Sequence, residues 1–178
     1  MCGGRGTRLG AATEKPLLPI AGRPTVDRVA DALAASRIEG VHAVTSPATP
    51  ATREHLAERG LPVVDAPGEG YVADLGHALE RVDTPVLTVV ADLSLLDGAV
   101  VDTVLDRYDG GSLTVCVPVA LKRRLGVSVD PALSAGDLAP TGLNAVGGDP
   151  NDTMTSNDPR LAVNVNRPGD ALVAEAML

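Results

Sequence analysis

The stretch CGGRGTRLG, residues 2–10, sets Gly3, Gly4, Gly6 and Gly10 around Arg5, Thr7 and Arg8, and Lys15 follows just ahead of Pro16. Glycines carry no Cβ, so backbone N–H groups there can close on a phosphate, and the two guanidinium groups and the ammonium supply positive charge. An ordinary glycine turn would explain a lone pair of glycines. It explains less well this concentration of cations in a chain whose net charge is −8. Two familiar phosphate loops are excluded. There is no G-x-x-x-x-G-K-[ST], and counted from Gly4 the sixth position is Leu9, so G-x-G-x-x-G fails as well.

Such a loop needs a scaffold, and the remaining sequence supplies an alternating one. Val26, Val29, Ala30 and Leu33 recur at helical spacing after Pro24, and residues 41–45, VHAVT, form a β-branched run. PATREHLAER reads as a helix stopped by Gly60, LPVVD as a strand, and Val72, Leu75, Leu79 and Val82 as one helical face. PVLTVVAD is continuously apolar, as in a strand buried on both sides of a parallel sheet. VVDTVLDRY is a helix ended by Gly110 and Gly111, and SLTVCVP is again a strand. Strands alternating with helices predict an α/β fold: a mostly parallel sheet, right-handed crossovers and helices on both faces. Beyond residue 118 the pattern predicts short strands near VSVD, GLNAV and LAVNV, then a last helix from about Gly169. No repeat, low-complexity segment or linker divides the chain, so residues 1–178 are expected to be one domain. In folds of this class the ligand sits at the carboxyl ends of the strands.

Composition narrows the partners. The chain is 44% hydrophobic, with no Phe, no Trp and only Tyr71 and Tyr108, so Val, Leu and Ala must build the core. Stacking platforms for single-stranded nucleic acid are missing, and the negative charge disfavours both phosphodiester backbones and anionic membranes. The basic residues are nearly all arginine, the lysines being Lys15 and Lys122. An acidic, lysine-poor composition is what salt-adapted cytoplasms select, as in halophilic archaea; a GC-rich genome produces the same bias. Cys2 and Cys116 have no CxxC or metal spacing, and Cys116 lies in an apolar run as a small core residue. With no signal peptide and no apolar run near membrane-spanning length, a cytoplasmic protein without membrane insertion is expected.

The extended motif GGRGTRLG…EKPLLPIAGRP resembles the signature of the nucleotidyltransferases that include sugar-phosphate and molybdopterin guanylyltransferases. Within that superfamily, TSPATPAT at 45–52, GEGYVADL at 68–75, LAPTGLNAV at 138–146 and the closing NVNRPGDAL at 164–172 are similar to the archaeal GTP:adenosylcobinamide-phosphate guanylyltransferases of the cobalamin pathway. The similarity runs in order along nearly the whole chain. Molybdopterin guanylyltransferases would show a Pro soon after the metal aspartate, where VVADLSLL has Leu93 and Ser94. One departure stands out: the family places an apolar strand before the glycine loop, and here the loop follows Met1-Cys2 directly. A central strand cannot be dropped cheaply, because its neighbours would lose ladder hydrogen bonds. The reading expects Met1 to be an internal methionine, with the first strand encoded upstream.

The resemblance implies a GTP-dependent enzyme with Mg²⁺ as cofactor and a corrinoid phosphate as acceptor. A substrate phosphate attacks the α-phosphorus of a nucleoside triphosphate and pyrophosphate leaves. That phosphate is already largely ionised near neutrality, so no general base is required; catalysis becomes positioning and charge neutralisation. Amides from Gly3, Gly4, Arg5, Gly6 and Thr7, with Arg8 and Lys15, would hold the triphosphate. Asp92, at the end of the most buried strand, would hold Mg²⁺ against its oxygens; a helix N-cap is the plainer role for that carboxylate. Thr45, Ser46, Gly70 and Asp74 would bracket guanine and ribose, although SPAT and PGEG are also good turn sequences and Asp74 a good first-turn acid. Asn144, Asn164 and Asn166 would face the acceptor. His42, His55 and His77 lack ligand spacing and read as structural, and the LKRRL cluster at 121–125 reads as a solvated face. Two competitors remain: a relative acting on a sugar 1-phosphate or molybdopterin, and a non-catalytic nucleotide-binding subunit. The retained Arg8, Lys15 and Asp92 argue against the second of these.

Overall fold

The valine-rich runs become strands and the stretches of helical period become helices, in the predicted alternation. The computed structural model describes residues 1–4, 13–130 and 136–178. Two short antiparallel strands, β1 (Pro19–Ile20) and β2 (Arg23–Pro24), lead into α1 (Thr25–Ala34). Then follow β3 (Ala43–Thr45), α2 (Pro50–Glu58), β4 (Val63–Asp65), α3 (Tyr71–Leu79), β5 (Val86–Val89), α4 (Gly98–Arg107) and β6 (Gly111–Pro118). The chain closes with α5 (Val119–Leu125), β7 (Leu138–Val146), β8 (Gly148–Thr155) and α6 (Pro168–Ala176).

β3 and β4 pair in parallel, Val44 opposite Val64. A second ladder has the order β5-β7-β6-β8, in which β7 is antiparallel to both neighbours and β8 is parallel to β6. Residues 1 and 2 join the two ladders. The Met1 amino group donates to Val89 O at 2.8 Å and Ala91 N donates to Met1 O at 3.2 Å, the two-bond pattern of a parallel bridge opposite Val90. On the other side Cys2 N donates to Val44 O at 2.7 Å. Met1 packs with Val44, Val64 and Ala78, whereas Cys2 packs with Val26 and Leu56. The alternation shows α3 on one face of the sheet and α1 and α2 on the other. Residues 1–2 thus stand where the end of a central parallel strand belongs. Behind Met1 an apolar cavity of about 740 Å³ runs between β3 and β5, lined by Val29, Leu33, Val41, Ala78 and Leu87 among others.

The main core lies between β5–β7–β6 and helices α1 and α4, with Leu93, Val101, Val115, Val117 and Leu143 fully buried. Tyr108, one of the two aromatics, packs only at its margin. Gly142 lets β7 approach the end of β5: its φ is +83°, and a Cβ there would stand 2.4 Å from Val90 Cγ2.

Beyond Pro118 two expectations change and one further strand appears. VSVD, residues 127–130, forms no strand; it follows α5, which ends on Gly126 in the left-handed region, φ +74°, and Ser128 is held by Asp170 instead of a ladder. LAVNV becomes a 3₁₀ turn, Pro159–Ala162, followed by an extended segment; Asp158 starts the turn by accepting from Arg160 N at 2.9 Å. β8 was hidden by its polar sequence. It is an exposed edge strand, where no apolar alternation is needed and charges discourage further pairing.

Candidate active site

A cleft of about 380 Å³ opens where β3, β4 and β5 end, and Gly3, Gly4, Lys15, Ser46, Asp74 and Asp92 line it. Its floor is closely packed at Gly3. A Cβ on Gly3 would sit 3.3 Å from Ser46 Oγ and 3.6 Å from Asp74 Oδ2.

Lys15 opens a 3₁₀ turn, Lys15–Leu17, fixed from both sides. Thr25 Oγ1 donates to Pro16 O at 2.9 Å. Glu14 reaches the first turn of α2, accepting from Ala51 N, Thr52 N and Thr52 Oγ1 at 2.9, 2.7 and 2.6 Å. A carboxylate there satisfies orphan amides and complements the helix dipole. The Glu-Lys-Pro sequence therefore docks on α2 through its first residue and aims its second into the cleft. The Lys15 ammonium donates to Asp92 Oδ2 and, at 2.6 Å, to Asn166 Oδ1. Both partners of the ion pair are partly open to the cleft, their side chains 18% and 14% exposed.

Asp92 is not a helix cap. Asp97 caps α4 by accepting from Val100 N at 2.9 Å, which leaves Asp92 in the turn just after β5 with its carboxylate in the cleft. The Asn-x-Asn segment is pinned against it: Val165 N donates to Asp92 O at 3.0 Å, and the Val165 side chain is buried beside Ile20 and Leu95. An extended backbone puts residues on either side of Val165 on the opposite face from it. Asn164 and Asn166 consequently both face Asp92. Asn164 Nδ2 donates to Asp92 Oδ1 at 3.0 Å and to Thr141 O at 2.8 Å. Asp170, at the start of α6, secures the segment by accepting from Asn166 N and Arg167 N at 3.0 and 2.8 Å and from Ser128 N and Oγ, both at 2.7 Å.

The remaining predicted residues divide. Asp74 is buried and lends Oδ1 to the amides of Gly68 and Glu69, at 2.8 and 3.2 Å, so half of it shapes the loop that carries Gly70. Ser46 lines the cleft, with Ala48 N donating to its Oγ at 3.3 Å in a local turn. Thr45 points elsewhere, donating to Asp65 Oδ1 on β4 at 3.3 Å. Asn144 lies in mid-β7 opposite Thr88 and Thr114, and its side chain takes no part in the Lys15–Asp92 network. Arg5, Gly6, Thr7 and Arg8 lie outside the described residues. Among the described residues no group of three or more His, Cys, Asp or Glu gathers into a metal cage, and no helix is long and apolar enough to cross a membrane.

Two contributors were not expected as such. Glu14 gave no signal beyond preceding Lys15. Lys122, read as part of a solvated basic run, is only 4% exposed; its ammonium donates to Ala162 O at 2.6 Å and Asn164 Oδ1 at 3.1 Å. Burial pushes that ammonium below its ordinary pKa, against the pull of Asp170 and Asp92. Its neighbours three residues away on either side, Val119 and Leu125, put Lys122 on the apolar face of a short helix and were the available sign.

Residues 1–157 match the family described as the MobA-like NTP transferase domain. The chain belongs to the MobA-like NTP transferases. It is 30% identical over 195 aligned positions to the adenosylcobinamide-phosphate guanylyltransferase of Methanocaldococcus jannaschii, spanning 100% of this chain and 95% of that protein. A hypothetical transferase from Thermus thermophilus superposes with a TM-score of 0.70 at 19% identity, over 96% of each chain. A CMP:2-keto-3-deoxy-manno-octonic acid synthetase complexed with CTP superposes at 0.65 and 16% identity, over 96% of this chain and 94% of that one. These two share the fold. For a MobA-like NTP transferase the geometry makes chemical sense: a cation, a single carboxylate and two carboxamides converge at the strand ends beside a glycine-floored cleft, and the enzyme is a nucleotidyltransferase.

Proposed function

We propose that this transferase moves GMP from GTP to adenosylcobinamide phosphate, giving adenosylcobinamide-GDP and pyrophosphate in cobalamin biosynthesis. The observation that carries the reading is the full-length likeness to the M. jannaschii guanylyltransferase, together with the Lys15–Asp92–Asn166 cluster at the head of the cleft. An oxygen of the acceptor phosphate forms a bond to the α-phosphorus while the bond to the β-phosphate bridging oxygen breaks, and pyrophosphate carries away the electron pair. Lys15 neutralises the charge that builds on the departing pyrophosphate. Gly3 and Gly4, which line the cleft, would present their amides to the same phosphates. Mg²⁺ takes few protein ligands and completes its shell with substrate oxygens and water, so one carboxylate at the strand end can serve it. Asp92 would hold the ion, which when bound supplies charge neutralisation to the triphosphate. Asn166 keeps the Lys15 ammonium in place, and Asn164 does the same for the Asp92 carboxylate.

Guanine is selected by the floor of the cleft. Its N1–H and N2–H₂ groups are donors, and Asp74 Oδ2, on the Gly3 side, is the oxygen not engaged by the Gly68 and Glu69 amides. Adenine presents an acceptor at N1 and leaves that oxygen without a donor. Pyrophosphate release with each of four NTPs, in the presence of adenosylcobinamide phosphate, tests the proposal. Turnover only with GTP is expected; preference for ATP or UTP, or equal use of a sugar 1-phosphate, overturns it.

A further inference from the structure

The whole chain has two lysines, and they converge on one motif. Lys15 donates to Asn166 Oδ1 from the cleft side, and Lys122 donates to Asn164 Oδ1 from inside the protein. Arg123 and Arg124, its neighbours on α5, are exposed. Burying an ammonium costs several kcal/mol before its partners compensate, and a leucine would pack there without that cost. Lys122 also does more than tie α5 to the 3₁₀ turn through Ala162 O, because its second bond reaches the carboxamide that touches Asp92.

We infer that Lys122 is a positioning residue for the transfer reaction: by holding Asn164 Oδ1 from behind, it keeps Asn164 Nδ2 on Asp92 Oδ1, so that Asp92 turns Oδ2 toward Lys15 and the substrate. The chain of contacts is Lys122 Nζ to Asn164 Oδ1 at 3.1 Å, then Asn164 Nδ2 to Asp92 Oδ1 at 3.0 Å, then Asp92 Oδ2 to Lys15. Without the ammonium, Asn164 Oδ1 is a partly buried acceptor that loses its donor from Lys122. Rotation of the carboxamide to find another withdraws Nδ2 from Asp92 and frees the carboxylate to swing. Lys122 touches neither nucleotide nor acceptor, so its effect falls on turnover rather than on GTP affinity. Residues that orient a functional carboxylate from behind are typically worth about 10–100-fold in activity.

The inference rests on the transfer reaction proposed above, and the test separates the two. Steady-state kinetics are measured for wild type, Lys122→Met, Asn164→Ala and the double variant, with folding checked by circular dichroism. Lys122→Met should lower kcat about 10–100-fold with KM for GTP within about threefold. In the Asn164→Ala background the same change should cost less than about threefold, because the relay is already cut. A purely structural lysine, still bonded to Ala162 O in that background, would cost as much there as in wild type; that result, or wild-type kcat in Lys122→Met, overturns the inference. Should Lys122→Met not fold, Lys122→Arg replaces it in the cycle with the same required non-additivity. The side-chain amide signal of Asn164 in ¹H–¹⁵N spectra, assigned by its loss in Asn164→Ala, gives a reading independent of substrate. It should shift in the Lys122 variant, and an unmoved signal overturns the inference even if the acceptor were misassigned. No turnover by wild type with any acceptor would count against the function while leaving the spectral test standing.

Discussion

Lys15→Ala removes the one cation that the described residues place in the cleft, and its consequence can be sized. In the folded protein the ammonium bridges Asp92 Oδ2 and Asn166 Oδ1. A phosphate oxygen lying about 4 Å from it gains about 4 kcal/mol at an effective dielectric near 20. Part of that gain is present in the bound ground state, and the 18% exposure of the side chain screens some of the rest. Leaving about 2.7 kcal/mol specific to the transition state, the low end for deleting an oxyanion donor, kcat should fall roughly 10²-fold. Stability should change little, by about 1 kcal/mol or a few degrees in Tm, because the pair opens onto solvent and Asp92 keeps its bond from Asn164. Single-turnover pyrophosphate release with saturating GTP and acceptor isolates the chemical step. A rate within threefold of wild type, in a folded variant, would refute charge neutralisation by Lys15.

Asp92→Asn keeps shape and removes ligand charge, so most of the Mg²⁺ dependence of turnover should vanish while metal-free GTP binding stays measurable by calorimetry; wild-type activity at low Mg²⁺ would refute the metal role. Gly142→Ala places a Cβ against Val90 at a positive φ, and should cost about 2 kcal/mol or more, seen as a Tm drop of roughly 4–8 °C by calorimetry. Asp27 on α1 accepts from His55 on α2 and from Arg59 just past its end. Burial pushes its carboxyl up, but those hydrogen bonds outweigh it and hold the pKa below the usual value. Its stabilisation is therefore present above the unfolded pKa of about 3.9 and is lost as pH falls through the lower folded value. The Tm gap between wild type and Asp27→Asn should accordingly narrow below about pH 4, and a constant gap would refute the assignment.

Much of the fold was legible because local pattern and burial agree in the first two-thirds of the chain. Helices α1 and α4 have periodic apolar faces, α2 is bounded by Pro50 and Gly60, and β5 and β6 are the valine-rich runs expected of buried strands. The pattern failed where packing needed no alternation, as in the exposed edge β8, and where a short helix, α5, was read as a charge cluster. Residues 1 and 2, which carry no strand pattern, nonetheless bridge Val44 and Val90 through backbone hydrogen bonds. In the site, Lys15, Asp92, Asn164 and Asn166 carried a motif and meet in space. Glu14 lay in the motif without an assigned role and Lys122 in the basic run, since their work is to hold other groups and only the folded chain brings them there. Thr45 matched a motif yet serves β4, because a strand-end hydroxyl finds the nearest carboxylate across the ladder.

The central claim, GMP transfer to a corrinoid phosphate, is tested most directly by one competition. Purified protein, Mg²⁺, equal GTP and ATP, and equimolar adenosylcobinamide phosphate and sugar 1-phosphates are incubated together, and the nucleotidylated products are identified by mass. A buried polar group left unpaired costs about 1–3 kcal/mol, so two mismatched contacts at the base should favour GTP by roughly 10²-fold or better. The account predicts adenosylcobinamide-GDP as the dominant product. A nucleoside diphosphate sugar as the main product, or an adenylylated corrinoid, would contradict it.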